Sequence, residues 1–375
     1  MELTLFSETP DDTSIDFPTS YDKIMERVRN IKPAQYPKTR NFINGAVTYL
    51  SPYISRGVIS VKQVMEIALQ KQYKPYQIQK FLQELAWREY FQRVWQHVGD
   101  DIWKDLRQPQ PDVVHNKMIT AVDKANTGIE AIDNAINKLY SSGYIHNHVR
   151  MYTASLVCNM AKAYWLQPSR WMYYHLLDGD IASNNFSWQW VAGAFSNRKY
   201  YFNQENVNKY TFSKQQYTFL DQPYPEIISM PVPQALVATV EPSLQTTLPS
   251  IKIPVLDPNK PTLIYNSYNL DPLWRKDEDV NRILLLEPSH FKKYPVSEKV
   301  LQFITDLSKN IEGVQIFTGE IEDIVFGATA IISKEHPAFI HYPGIKDSRD
   351  WMFPEVIRYY KSFSSFWKNC EKLLK

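Results

Sequence analysis

The chain has 375 residues, 44% of them hydrophobic and 22% charged, with a formal net charge of +2, so it can bury one large core or two medium ones. Two cysteines, Cys158 and Cys370, exclude a disulfide framework, a cysteine-based structural zinc and a cysteine-ligated iron–sulfur cluster, and no metal site is expected. No run of about 18 apolar residues occurs and the N-terminus "MELTLFSETPDDTS" lacks a basic and an apolar leader region, which predicts a soluble, cytoplasmic protein.

The charge is uneven along the chain. Residues 21–220 hold 25 Lys and Arg against 15 Asp and Glu, residues 1–20 none against 5, and residues 221–375 hold 17 against 20. A basic middle can attract phosphates, although solvated helix surface gives the same count. After an N-terminal tail over 1–20, the stretches "SVKQVMEIALQKQ", "YQIQKFLQELAWREYFQRVWQHV" and "GIEAIDNAINKLYSSG" repeat apolar residues at helical spacing, so residues 21–220 read as an all-α domain. Residues 221–261 carry nine prolines in 41 positions and read as an extended linker. Beyond it, "TLIYNSYNL", "RILLLEP", "VQIFTG" and "ATAIIS" are short apolar runs with a helical pattern between them, which predicts a smaller α/β domain with a mostly parallel sheet over 262–375. The stretch "PEVIRYYKSFSSFWKNCEKLLK" reads as a closing helix with proline in its first turn.

Seven of the ten tryptophans lie between Trp87 and Trp190, among most of the residues that can carry chemistry. Glu84, Trp87 and Arg88 stand at i, i+3 and i+4, so an acid, an indole and a guanidinium share a helix face; Asn147, Arg150 and Met151 repeat the spacing. Burying an unpaired amide or charge costs roughly 1 to 3 kcal/mol or more, so two such faces suggest a shared buried polar ligand. Any one of these residues alone would be an ordinary core ion pair or packed ring.

Together with "ELAWREYF", "GYIHNHVRMYTASL" and "LLDGDIASNNFSWQWVAG", the upstream "TYLSPYISRGVIS" resembles the FAD-binding catalytic domain of the photolyase and cryptochrome flavoproteins, with the motifs in the family's order and at similar separations. The resemblance covers about residues 20–210 and is most like the enzymes that repair cyclobutane pyrimidine dimers. It implies a helical domain holding FAD, with Tyr36, Thr48, Leu50, Ser51, Phe81, Arg88, Asn147, Arg150, Asp178, Asp180 and Asn184 around the cofactor. Thr48, Leu50, Ser51 and Arg88 would hold the pyrophosphate, Asp180 polar edges of the cofactor, and Asp178 would pair with Arg150 beside the ring system. Asn184 would face flavin N5, with Asn147 in the same neighbourhood.

The resemblance also implies light-dependent repair of DNA by electron transfer from photoexcited reduced FAD to a flipped-out dimer. Glu84 would hydrogen-bond the pyrimidine edge, Trp87 and Trp190 would stack on the dimer, and Met151 would touch it. Asn147 and Met151 stand where enzymes for (6-4) lesions place histidines, which favours the cyclobutane lesion. Trp188 would be the flavin-proximal electron donor and Trp165 the next outward; the stretch that usually holds the third tryptophan, "PDVVHNKMITAVDKANTG", has none, leaving Trp103, a nearby tyrosine or no further donor. His148, Arg198 and Lys199 would contact DNA in place of family arginines, while His146 would pack or contact DNA.

Two departures stand out. The family usually begins with an α/β antenna domain, whereas here the α/β segment follows the helices; "TLIYNSYNLDPLWR" faintly resembles the opening of that domain, and the order puts an antenna pigment in doubt. The protein is expected to act as a monomer on dimer-containing DNA. The alternative is a cryptochrome-like blue-light photoreceptor that binds FAD and repairs nothing.

Overall fold

A computed structural model describes residues 15–325, 328 and 330–374; most of the expected N-terminal tail lies outside them. Helices dominate up to residue 211. The first of the longer ones are α1 (Tyr21–Arg29), α2 (Val61–Gln70) and α3 (Pro75–Val98), with short helical turns at Tyr36–Thr39 and Ser51–Ser55 between α1 and α2. Ser60 starts α2 with a reciprocal capping box to Gln63, satisfying two backbone donors at once. Next come α4 (Glu130–Ser142), α5 (Asn147–Ser155), α6 (Leu166–His175), α7 (Ile181–Ala192) and α8 (Gln204–Thr211). Gly143 ends α4 at φ 73°, a left-handed conformation that glycine adopts without a Cβ penalty. A π-turn over Leu156–Met160 follows α5 directly.

The proline-rich stretch is less extended than expected. It contains a helical turn at Tyr224–Ser229, and its strand β2 (Thr239–Val240) pairs antiparallel with β1 (Met118–Ile119), so this part lies on the helices. Leu220, Ile227 and Leu236 join a core cluster with Trp165, Trp171 and Trp188.

The expected parallel sheet is present. Strands β3 (Thr262–Tyr265), β4 (Asn281–Leu286), β5 (Val314–Thr318), β6 (Ile331–Lys334) and β7 (Ile345–Asp347) form one five-stranded sheet in the order β5-β4-β3-β6-β7, with every pair parallel. Helix α9 (Glu298–Ser308) supplies one crossover and buries Val300, Leu301, Phe303, Ile304 and Leu307, the apolar stripe read from the sequence.

The loop after the central strand β3 docks on the helices. Arg56, fully buried, donates to the carbonyls of Leu177 at 3.0 Å and Ser267 at 3.4 Å, and the Tyr173 and Tyr268 hydroxyls meet at 2.7 Å. One apolar cluster therefore contains both Leu82 and Phe186 of the helices and Leu263 and Leu286 of the sheet.

The closing helix is shorter than its pattern. It is confined to α10 (Phe363–Cys370), capped by Ser362, and a 3-10 turn over Glu371–Leu373. The preceding backbone is committed to tertiary contacts instead: the Tyr360 carbonyl accepts from the Tyr90 hydroxyl, the Lys361 carbonyl from Arg107, and Tyr359 stacks on His97.

Candidate functional site

The residues singled out by the motifs converge from four segments of chain. The Thr48–Ser55 stretch enters first, with Tyr49 held at φ 53° and Leu50 buried. The Tyr49 ring meets Tyr144 edge-on at 5.5 Å, and the Arg150 guanidinium lies over Tyr144 at 5.4 Å. Arg150 then reaches the two carboxylate oxygens of Asp178 at 3.0 and 2.9 Å, while its Nε donates to the Ile145 carbonyl at 2.8 Å. The pair foreseen from the sequence is therefore formed and largely buried, with Asp178 only 6% exposed.

From Asp178 the network continues. Its carbonyl accepts from Ser55 Oγ at 2.8 Å, Ser55 Oγ accepts from Arg88 at 2.6 Å, and Arg88 lies 3.5 Å from Asp180. Asp180 caps α7 by accepting from the Ser183 N–H at 2.7 Å, and its second oxygen accepts from Gln92. Both carboxylate oxygens are thus engaged within the protein, so Asp180 fixes Arg88 and the start of α7 with acceptor capacity left over. Gln92 in turn accepts from Arg349 at 2.7 Å, tying the cluster to the sheet side.

Asn184 is buried, and its amide nitrogen donates to the Ser169 carbonyl at 2.9 Å, which turns the amide oxygen away from that carbonyl. Asn147, in the first turn of α5, is exposed, and Met151 one turn later is half-buried. Tyr36 packs edge-on against Phe81 at 5.4 Å, and burial, with Glu84 next in size, pushes its phenol up to about 12. Two buried polar atoms near these segments, His146 Nε2 and Ser183 Oγ, have no protein partner. A cofactor rich in donors and acceptors fits such a donor set, since buried polar groups are otherwise satisfied.

Glu84 is gripped by two cations, Arg40 at 2.8 Å and Lys80 at 2.9 Å. Arg40 escaped the sequence reading because it sits 44 positions away, outside any helical periodicity. Trp87 stacks on Phe363 of α10 with ring centroids 3.8 Å apart and planes 10° apart, so one face is covered by a residue no motif pointed to. The two indoles of α7 differ in exposure: Trp188 is 2% exposed and Trp190 40%. Trp165 is fully buried with its indole N–H on Asp105 at 2.7 Å.

The expected DNA contacts divide. Arg198 is exposed, whereas Lys199 is engaged with Asp112 at 2.7 Å and its side chain is only 11% accessible. His148 is buried, with Nδ1 at 2.9 Å from the Asn41 carbonyl and Nε2 at 3.3 Å from the Tyr200 hydroxyl. Burial lowers its pKa, and that of His146 to about 3, so both imidazoles are neutral near pH 7.

Residues 81–246 match the family described as the FAD binding domain of DNA photolyase. That segment is similar in sequence to the FAD-binding domain of DNA photolyases. Deoxyribodipyrimidine photo-lyase of Synechococcus sp. is 32% identical over 171 residues, covering 43% of this chain and 35% of that protein. The Escherichia coli K12 enzyme of the same name is 30% identical over 182 residues, covering 45% and 37%. The chain spans about a third of the length of these curated relatives. Among solved structures, the cryptochrome of Synechocystis sp. PCC6803 is similar at 21% identity with a TM-score of 0.47, covering 52% of this chain and 44% of that one. The class III photolyase of Agrobacterium tumefaciens is similar at 23% and 0.41, covering 51% and 44%. The matched segment carries Glu84, Trp87, Arg88, Arg150, Asp178 and Asn184, while Tyr36 and Thr48–Ser51 lie upstream of it. Among the described residues no helix is long and apolar enough to cross a membrane.

Proposed function

We propose that this chain binds FAD between the Thr48–Ser55 stretch, α3, α5 and α7, and uses it to split cyclobutane pyrimidine dimers in DNA under blue light. The observation that carries the reading is the buried Arg150–Asp178 pair, joined through Ser55 to Arg88 and from there to Asp180. A buried ion pair with this many partners is costly as mere packing and useful beside a redox cofactor whose charge changes. When bound, FAD supplies one-electron chemistry in light.

The chain's own residues do the rest. Tyr36, Thr48, Leu50, Ser51, Phe81, Arg88, Asn147, Arg150, Asp178, Asp180 and Asn184 bind and orient the cofactor, and Asp180 also holds Arg88 in place. The Asn184 amide oxygen favours protonated states of a ring nitrogen, because an acceptor stabilises an N–H. Glu84, held by Arg40 and Lys80, hydrogen-bonds the pyrimidine edge, while Trp87, Met151 and the exposed Trp190 shape the dimer pocket. Stacking on indoles compensates the unpaired bases. Exposed Arg198 contacts phosphate.

One observation favours the second reading, a cryptochrome-like photoreceptor: Phe363 already covers one face of Trp87. The experiment that separates the two compares purified protein with the Asp178→Asn and Phe363→Ala variants for flavin absorption and for binding of dimer-containing oligonucleotides. Repair predicts flavin and dimer-selective binding in the wild-type chain. A photoreceptor predicts flavin with no preference for the dimer, and absence of flavin contradicts both.

A further inference from the structure

After the edge strand β7 the chain runs back over the helices as a strap whose inner side is fastened to α3. Arg349 donates to the Gln92 amide oxygen at 2.7 Å, the Glu89 carboxylate accepts from the backbone N–H groups of Met352 and Phe353, and the Tyr90 hydroxyl donates to the Tyr360 carbonyl at 3.1 Å. Glu89 is 2% exposed, so the strap supplies the donors that satisfy a buried carboxylate and is a built part of the fold. Tyr359 stacks on His97 with ring centroids 3.9 Å apart, and the strap ends where Phe363 stacks on Trp87. Arg107 joins it to the loop after α7: its guanidinium donates to the Lys361 carbonyl at 2.7 Å and lies 5.1 Å over the Phe195 ring, while its backbone N–H donates to the Ala194 carbonyl at 3.2 Å. Gln108 beside it donates to the Ser196 carbonyl at 3.1 Å, and Ser196 Oγ to the Arg198 carbonyl at 2.6 Å. One surface therefore runs from Trp87 along the strap and across Arg107 to the loop that carries Arg198.

The outer side of this surface is cationic. Arg107, Arg198, Arg358 and Lys361 are exposed, and among the described residues none of them forms an ion pair; Glu355 is the one carboxylate between Pro354 and Phe363. Arg358 is held 4.8 Å over the Tyr360 ring, so its position is fixed without a counter-charge. Unpaired cations on one ordered surface repel each other, and a polyanion that spans them relieves the repulsion. Rings alternate with these cations, Tyr359 being 39% exposed, and basic residues interleaved with aromatics match a nucleic-acid strand better than an acidic protein or a lipid surface.

We propose that the strap from Arg349 to Phe363 is a DNA-binding element, in which Arg358 and Lys361, together with Arg107, hold phosphates of the strand that flanks the flipped-out dimer. The proposal rests on the repair reading above and extends it to a part of the chain outside the segment matched to the photolyase FAD-binding domain. Phosphate contacts of this kind position the duplex and carry no base information, so the strap serves damaged and undamaged DNA alike. Its anchors on α3 tie the grip on the strand to the helix that presents Glu84 and Trp87.

The test is fluorescence anisotropy of the full chain with labelled duplexes, one carrying a pyrimidine dimer and one undamaged, from low to moderate salt. The strap variant is Arg358→Ala with Lys361→Ala, and the charge-matched control is Lys252→Ala with Lys299→Ala, two exposed lysines away from the strap. The strap variant is expected to keep its flavin and to bind both duplexes roughly tenfold more weakly at moderate salt, with the slope of log affinity against log salt about two units shallower, while the control matches the wild type. Charge reversal, Arg358→Glu with Lys361→Glu, weakens binding further. A slope unchanged in the strap variant, with wild-type protein still preferring the dimer, overturns the strap and leaves the repair reading standing. A loss that the control shares overturns it as well, since any positive charge would then serve. A loss confined to the dimer duplex overturns the phosphate contacts. Wild-type protein that binds neither duplex overturns the repair reading and the strap with it.

Discussion

Arg150 holds Asp178 through one guanidinium nitrogen, 3.0 Å from one carboxylate oxygen and 2.9 Å from the other, at the point where four segments of chain meet. Side-chain exposure is 20% for the arginine and 4% for the aspartate. Removing one charge leaves the other buried and unpaired, which costs roughly 3 kcal/mol or more. Asp178→Asn is therefore expected to lower the urea midpoint of the chain and to reduce flavin content, whereas Arg150→Gln with Asp178→Asn recovers part of the stability but not the flavin. Equal stability of the single variant and the wild type contradicts the structural side of the account.

Glu84 behaves differently because its partners Arg40 and Lys80 are half-exposed. Pairs of that kind contribute about 0 to 1 kcal/mol. Glu84→Ala should therefore fold with a midpoint close to that of the wild type, keep its flavin and lose at least tenfold in repair yield. Loss of flavin would move Glu84 from the substrate to the cofactor.

Lys199 and Arg198 separate as well. Lys199 is tied to Asp112, so Lys199→Ala should leave the salt dependence of DNA binding nearly unchanged, while Arg198→Ala lowers the slope of log affinity against log salt by about one unit. Fluorescence anisotropy with a labelled duplex between low and moderate salt measures both slopes.

What was legible in the sequence follows the range of each interaction. Helix spacing placed Glu84, Trp87 and Arg88 on α3, and the resemblance carried Arg150 to Asp178 across 28 positions. Neither periodicity nor resemblance pointed to Arg40, Gln92 or Phe363, whose places are set by tertiary packing, and Ser55, inside a resembling stretch, was not singled out there. The parallel sheet was readable from continuous apolar runs; strand order was not, and the edge strand β7, with Ile345 and Lys346 exposed, has no apolar signature to read. Helical spacing from residue 354 onward was overridden where Tyr360 and Lys361 spend their carbonyls on Tyr90 and Arg107.

Acid sensitivity follows from the buried histidines. Burial lowers the pKa of His146 and His290 to about 3, that of His175 to about 4 and that of His336 well below the ordinary 6.5. The folded chain keeps them neutral while the unfolded chain takes up protons below 6.5, so their contribution is present above that pH and is lost as pH falls. Each adds a slope approaching ~1.4 kcal/mol per pH unit. His341, raised by its hydrogen bond to Glu287, has the opposite sign. Urea unfolding between pH 7.5 and 5.5 should show falling stability, with a shallower fall in His146→Gln.

The central claim is repair, and the direct measurement is the dimer content of ultraviolet-irradiated oligonucleotides incubated with flavin-reduced protein in blue light and in darkness. The account predicts loss of dimers in light alone, with Glu84→Ala at least tenfold slower and Trp165→Phe as fast as the wild type, since chemically reduced protein has no need of electrons supplied through Trp188 and Trp165. Flavin-loaded protein that leaves dimer content unchanged in blue light would contradict it.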